Sequence, residues 1–265
     1  MPIDLGTTPT PLGQHVYRAL PEVDRSDAIQ QRLRGSIALG VIRPGDRLPS
    51  EAEMSESFGV SPATLRDALA RLREEGLVET RRGRNGGTFV VDTPELSRTE
   101  VERRLDGYSV VELRDIGDQR TAVSGMCARL AAARGNEQDA ASLHRLALAL
   151  AEAATPGERA RAHSRFWLEL TVAAQSRRLL ALELPLQLEI GALLWTPLAH
   201  PLDHEAVSRS LVRIAEAIAE HDDDAAARRV SERIRQDSFH LIDEKLTLAM
   251  ASPAEADHDP RGAHA

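Results

Sequence analysis

Cysteine occurs once in the 265 residues, at Cys127, which excludes a disulfide framework and any cysteine-rich zinc module. Aromatic residues make up 3% of the chain, too few for the stacking platforms that hold single-stranded nucleic acid. Lysine also occurs once, at Lys245, and every other basic residue is arginine. No segment approaches the ~18 uninterrupted apolar residues of a membrane span. The opening residues Met1 to Thr10 carry neither a basic stretch nor an apolar one, so no secretory signal is read and a cytoplasmic protein without membrane contact is expected. A glycine-rich phosphate loop, a serine nucleophile elbow and a His-Glu-x-x-His zinc motif are all missing. No catalytic residue, and hence no enzyme, is expected.

The chain that remains is 42% hydrophobic and 28% charged, a soluble globular composition. Its length suits two domains. The net charge of −8 is unevenly placed, because residues 1–91 balance 12 arginines against 12 acidic residues and the excess acid lies beyond them. Within the balanced part, Arg66, Arg71, Arg73, Arg81, Arg82 and Arg84 form a basic run suited to phosphate.

Residues 1–24 are rich in proline and glycine and read as a flexible leader. From 25 to 40, Ile29, Leu33, Ile37 and Leu39 recur with helical spacing, and Gly40 stops the helix. Ser50 and Glu53 form a capping box that opens a short helix closed by Phe58-Gly59-Val60. Ser61 caps the next helix, with Pro62 at its first position, where a missing N–H costs nothing. Leu65, Leu69 and Leu72 give that helix one apolar face, and Gly76 ends it. Two short strand-like runs, Leu77–Thr80 and Thr88–Val91, flank the basic loop Arg81–Gly87 and form a wing. Residues 25–91 are therefore read as a winged helix-turn-helix. Its second helix would face base edges in the major groove through Ser61, Thr64 and Arg66, with Arg71 further along. Arg66 is the best base reader, since a guanidinium can meet guanine O6 and N7 together. Thr64 and Ser61 suit phosphate, as do the free N–H groups at the starts of the Ser50 and Ser61 helices, and Arg82, Arg84 and Gly86 of the wing supply charge and close backbone approach.

Residues 92–107 lack an apolar period and read as a linker. From 108 to 250 the chain is rich in Ala, Leu, Arg and Glu with helical periodicity. Breaks near Gly135-Asn136, Thr155-Pro156-Gly157, Pro197–Pro201 and Asp222–Asp224 divide it into about six helices. Residues 251–265 read as a disordered tail. The fold class is mainly α: a winged helix-turn-helix with a small β wing, then an all-α antiparallel bundle able to hold a ligand between helices.

Residues 25–91 resemble the GntR family of bacterial transcription regulators. The stretches that carry the resemblance are Gly40-x-Ile-x-Pro-Gly-x-x-Leu-Pro-Ser-Glu51, Phe58-Gly-Val-Ser61, Thr64-Leu-Arg-x-Ala-Leu69 and Leu72-x-x-x-Gly-Leu-Val78, with the wing ending in Phe89-Val90. Two usual family arginines are replaced here, by Pro62 and Ala52, which leaves more of the recognition to Arg66 and the wing. Beyond the linker, Glu112-Leu-Arg114 and the helices that follow resemble the all-α effector domain of the FadR-like (FCD) branch. The resemblance implies a homodimer, double-stranded operator DNA as partner, and control by a small carboxylate or an acyl thioester. It is read here as a repressor; the alternative is an effector-independent regulator whose second domain only dimerises.

Most of that branch carries a metal held by an aspartate and three histidines. The corresponding positions here are His163, Trp167, Leu211 and Arg233. Tryptophan and leucine cannot ligate a metal and arginine is a fixed cation, so no metal or other cofactor is expected. The resemblance then implies an effector site of Arg114, His163, Trp167, Leu211 and Arg233, with Arg233 meeting an acid group directly. Arg233 could equally be one of a solvated stripe with Arg228, Arg229 and Arg235, and His163 and Trp167 could be plain packing. A metal site rebuilt from His200, His204 and His240 is the lesser alternative, and Cys127 is read as packing.

Overall fold

The computed structural model describes residues 25–83, 86–91, 97–196 and 198–251. The expected leader, residues 252–265 of the expected tail and Arg84 lie outside them. Helix α1 (Arg25–Ala38) is followed by α2 (Glu51–Phe58), α3 (Pro62–Glu74) and an antiparallel hairpin of β1 (Val78–Arg81) and β2 (Gly87–Val90). Seven helices follow: α4 (Arg98–Asp106), α5 (Val110–Arg134), α6 (Glu137–Glu152), α7 (Pro156–Ala173), α8 (Arg177–Trp195), α9 (His204–Ala219) and α10 (Asp223–Ala251).

The first unit forms because its apolar residues meet at one point. Ile29, Leu33 and Ile37 of α1 pack against Leu65, Leu69 and Leu72 of α3, with Phe58 of α2 and Val78 and Val90 of the wing closing the core. The segment before Ser50, expected as a plain turn, adds a third strand-like edge to the wing. Gly45 and Leu48 donate to the carbonyls of Val90 and Thr88, and Val90 donates to that of Asp46.

The stretch expected as a linker, 92–107, is partly helical: 98–106 form α4. Val101 and Leu105, one turn apart, are both fully buried in the second core. Two apolar residues are too few to show a period, yet on one face they suffice to dock the helix. Ser97 caps its start, accepting from Glu100 N, and Lys245 Nζ donates to the Asp106 carbonyl at its end. The six helices α5–α10 make the second core, centred on Phe166, Trp167, Leu170, Ile190, Leu194, Leu211, Ile214 and Ile234. Cys127 is buried there, and burial pushes its thiol up to about 12. A break not foreseen separates α7 from α8. Gln175 takes a left-handed conformation, its side chain donating to the Arg134 carbonyl, and Ser176 caps α8.

Two contacts fix how the helices meet. Leu39, just past α1, leaves the first core and packs with Leu168 of α7 and Leu180 of α8, with Val172 and Leu184 beside them. The helical domain thus touches the winged unit through α7 and α8. Within the helical domain α5 and α10 lie at very close range. A Cβ on Gly117 would collide with Ser238 Oγ and stand only 3.1 Å from Ser238 Cβ. Gly117→Ala is therefore expected to force the two helices apart and lower stability by about 1–3 kcal/mol, as overpacking does. Urea unfolding measures it, and adding Ser238→Gly should recover part of the loss.

Candidate DNA-reading face and buried polar cluster

The helix-turn-helix residues sit where the sequence places them, but several already have partners. Ser50 caps α2, accepting from Glu53 N at 3.3 Å while Glu53 Oε2 accepts from Ser50 N at 2.8 Å. That network holds the Glu53 carboxyl below its ordinary pKa, the Ser50 hydroxyl contributing most. Ser61 Oγ accepts from Thr64 N at 3.2 Å and lies 2.9 Å from Thr64 Oγ1. Ser50 and Ser61 each spend a hydroxyl lone pair on the cap and remain exposed at helix starts. Arg66 is exposed on α3 and its Nε donates to Glu51 Oε2 at 2.8 Å. An exposed pair of this kind contributes about 0–1 kcal/mol, so a phosphate or base edge could replace it at small cost. Arg71 points elsewhere, toward α1, where it pairs with Asp27. In the wing, Arg82 is exposed and Gly86 half-buried. Arg47 was not foreseen. It bridges to Phe89, and its guanidinium lies across Gly87 of the wing. A lone arginine after a Pro-Gly turn carries no signal of its own; only the pairing with β2 brings it there.

The helical domain buries a group of charged and polar side chains. Arg233 lies on α10, and its NH2 is 2.8 Å from Oδ1 of Asp237, one turn further along the same helix. From α5, Arg120 donates NH1 and NH2 to Oδ2 of the same carboxylate, both at 3.3 Å. The Arg120 guanidinium also lies 5.5 Å from the centre of the Trp167 ring. From α7, Trp167 Nε1 donates to His163 Nε2 at 3.0 Å. Indole N–H is only a donor, so Nε2 is unprotonated and the imidazole carries its proton on Nδ1. The His163 ring stacks edge-on against both Trp167 and Trp195. From α8, Glu183 accepts from Ser124 Oγ at 2.9 Å and from Gln187 Nε2 at 2.7 Å.

Burial and charge act against each other in this group. Burial pushes His163 down to about 3; the nearby Asp237 works the other way but does not prevail, so the ring is neutral. For Asp237 burial works to raise the pKa, but Arg233 and Arg120 outweigh it and the carboxyl is held below its usual value. For Glu183 burial wins and the pKa is raised, although Arg120 opposes it. Two permanent cations thus face one secure anion. Four buried N–H donors around them have no hydrogen-bond partner: Arg120 Nε, Arg233 Nε, His163 Nδ1 and Trp195 Nε1. Two acceptors of the same group, Gln187 Oε1 and Asp237 Oδ1, are unmatched as well. Buried polar groups are rarely left unmatched, and here donors outnumber acceptors four to two.

This arrangement sorts the residues named from the sequence. His163, Trp167 and Arg233 come together, and Arg233 is buried rather than part of a solvated stripe. Leu211 is fully buried apolar packing on α9. Arg114 does not join them: it is exposed and pairs with Asp115 at 3.5 Å. Six residues along a helix is a rotation of about 240°, so Arg114 and Arg120 point to different sides of α5. Arg120, Asp237 and Glu183 were missed, because charged residues in a mixed helix read as surface. The four positions aligned with a metal site do not fit a cation, since a guanidinium stands among them and two lack donor atoms. His200 lies in the loop before α9, exposed beside Asp243 and Glu244, whereas His204 is the first residue of that helix. Among the described residues no three or more His, Cys, Asp or Glu side chains are grouped to hold a metal ion.

The depressed His163 pKa sets a pH dependence. An unfolded histidine titrates near ~6.5, so below that the unfolded chain binds a proton that the folded one refuses until pH falls to about 3. Stability is expected to fall as pH drops through this window, by up to about 1.4 kcal/mol per pH unit from this residue alone. Urea unfolding at about pH 7 and about pH 5 measures the slope, and His163→Gln should flatten it.

Two family models match the chain. Residues 25–90 match the family described as bacterial regulatory proteins, gntR family, and residues 115–236 match the FCD domain. RmpR of Mycobacterium gastri, named as an HTH-type transcriptional regulator, is 46% identical over 256 residues, covering 94% of this chain and 93% of its own. The Uxu operon regulator of Haemophilus influenzae is 46% identical over 67 residues, 25% of this chain and 24% of that protein. Among solved structures, McbR/YncC of E. coli is 20% identical with a TM-score of 0.49, covering 84% of this chain and 99% of that one. No described helix is long and apolar enough to cross a membrane. With both of its domains matched and a relative aligned over nearly its whole length, the chain belongs to the GntR family of DNA-binding transcription regulators, which are not enzymes, and carries an FCD domain.

Proposed function

We propose that this regulator is a cytoplasmic homodimeric repressor whose affinity for operator DNA is controlled by a small carboxylate. The carboxylate would bind in the buried cluster between α5, α7, α8 and α10. One observation carries the reading: two buried guanidiniums share a single carboxylate and each keeps its Nε–H unmatched, with two further orphan donors, His163 Nδ1 and Trp195 Nε1, in the same cluster. A domain that served only to dimerise would gain more from a dry apolar core, because buried ion clusters rarely add stability over hydrophobic packing. The compact, closed setting favours a small acid over an acyl thioester.

The same helices support a route to the DNA. On α7, His163 and Trp167 belong to the cluster and the next residue, Leu168, packs under Leu39. On α8, Glu183 and Gln187 face the cluster, while Leu180 and Leu184 lie at the junction with α1. A ligand that shifts α7 or α8 would bias the placement of the winged units, and in a dimer the spacing of two recognition helices decides operator affinity.

Two variants test this reading. Arg66→Ala should weaken operator binding by about 2–6 kcal/mol, since a dimer loses one base contact in each half-site, with the oligomeric state unchanged. Fluorescence anisotropy on promoter fragments, with light scattering alongside, checks both; retained operator affinity removes Arg66 as the reader. Arg233→Gln should keep DNA binding while abolishing the response to an acid that shifts the wild-type anisotropy curve. An unchanged dose curve returns Arg233 to a structural role.

A further inference from the structure

The cluster is occupied by a carboxylate already, and that carboxylate belongs to the protein. Asp237 is fully buried, and its oxygens face Arg120 from α5 and Arg233 from α10. The fit is poor for such a charged group. Arg120 reaches one oxygen with both terminal nitrogens at 3.3 Å, whereas charge-assisted bonds run at ~2.7–2.9 Å. Arg233 stands 2.8 Å from Oδ1, yet that oxygen has no aligned hydrogen bond, and both Nε–H groups are unmatched. The short Asp237 side chain, fixed to α10, can neutralise the guanidiniums but cannot meet either fork squarely. A carboxylate free of the helix could present both oxygens to a guanidinium side by side.

We propose that Asp237 is a built-in placeholder for the ligand's carboxylate, holding the two guanidiniums until a small organic acid takes its place. The proposal rests on the reading of this cluster as the ligand site. Its consequence is mechanical. The Arg120–Asp237 pair joins α5 to α10, and an acid that captures Arg120 breaks that link, leaves Asp237 with Arg233 on its own helix and gives each of the two cations an anion. The internal competitor also lowers the apparent affinity, because the acid binds only the fraction of molecules in which Asp237 has let go.

Formate and acetate are the probes, because each is little more than the missing carboxylate. Asp237→Ala empties the position and leaves two buried cations with no anion. It should lower the Tm by about 6–20 °C. Formate or acetate should then raise the Tm of the variant in proportion to the logarithm of concentration, and sodium chloride at equal ionic strength should not. The wild type, with its placeholder present, should respond far less to either acid. Asp237→Ser, which keeps a hydroxyl for the guanidiniums while leaving room for formate, repeats the test if the alanine variant does not fold. Rescue no better than chloride in the folded variant, or equal stabilisation of the wild type, overturns the placeholder. If rescue fails while an acid still binds the wild type and is lost in Arg233→Gln, the ligand site stands and only the placeholder falls. If acid binding survives both Arg233→Gln and Arg120→Gln, both readings fall.

Discussion

The ion group joining Arg120, Asp237 and Arg233 is the constraint around which the helical domain is arranged. Two guanidiniums cannot be buried without an anion, and the anion must come from a helix close enough to bring it. Gly117 and Gly125 of α5 allow that approach, since a side chain at Gly117 would meet Ser238 of α10 and Gly125 faces Ser231. The first and last helices of the six-helix bundle are thereby joined through polar groups, while Trp167 and Phe166 close the same core with apolar surface. Such a joint costs stability relative to an apolar one, and the proposed placeholder gives it a use, as a link that can be held by the protein's own carboxylate or by another.

The winged unit follows from local chemistry, and most of it was legible. Ser50 with Glu53, Ser61 with Pro62, and the leucines at 65, 69 and 72 each act within one or two helical turns, so their pattern survives in the bare sequence. Breaks at Asn136, Thr155 and Asp222 were legible for the same reason, since each supplies a cap to the helix that follows. Gln175 was not, because a left-handed turn without glycine or proline has no compositional mark. Helix α4 was missed because Val101 and Leu105 are its only buried apolar residues, and their value depends on a groove made by distant parts of the chain.

The buried cluster was legible only in part, and the part that was not is instructive. His163, Trp167 and Arg233 could be placed by resemblance to a metal site. Arg120 and Asp237 are 117 residues apart, and each is surrounded in sequence by other charged residues. Nothing local distinguishes Arg120 from Arg114 on a helix with charges on every side. What separates them is which face of α5 meets α10, and that is decided by small residues such as Gly117 rather than by the charges.

A ligand that changes DNA affinity must have different contacts in two states of the protein, or it shifts nothing. The geometry offers a specific difference. With Asp237 in place, Arg120 is bound to α10; under the proposal, an external acid would bind Arg120 instead and release α10. Trp167 lies against Arg120, His163 bonds to Trp167, and Leu168 beside them sits under Leu39 at the end of α1. Each step is a direct packing or hydrogen-bond contact, so a change in the hold on Arg120 reaches the winged unit through α7 without a long path. Because α1 also supplies Ile29, Leu33 and Ile37 to the core under α3, the proposed shift of its far end would reach the candidate reading helix through that core.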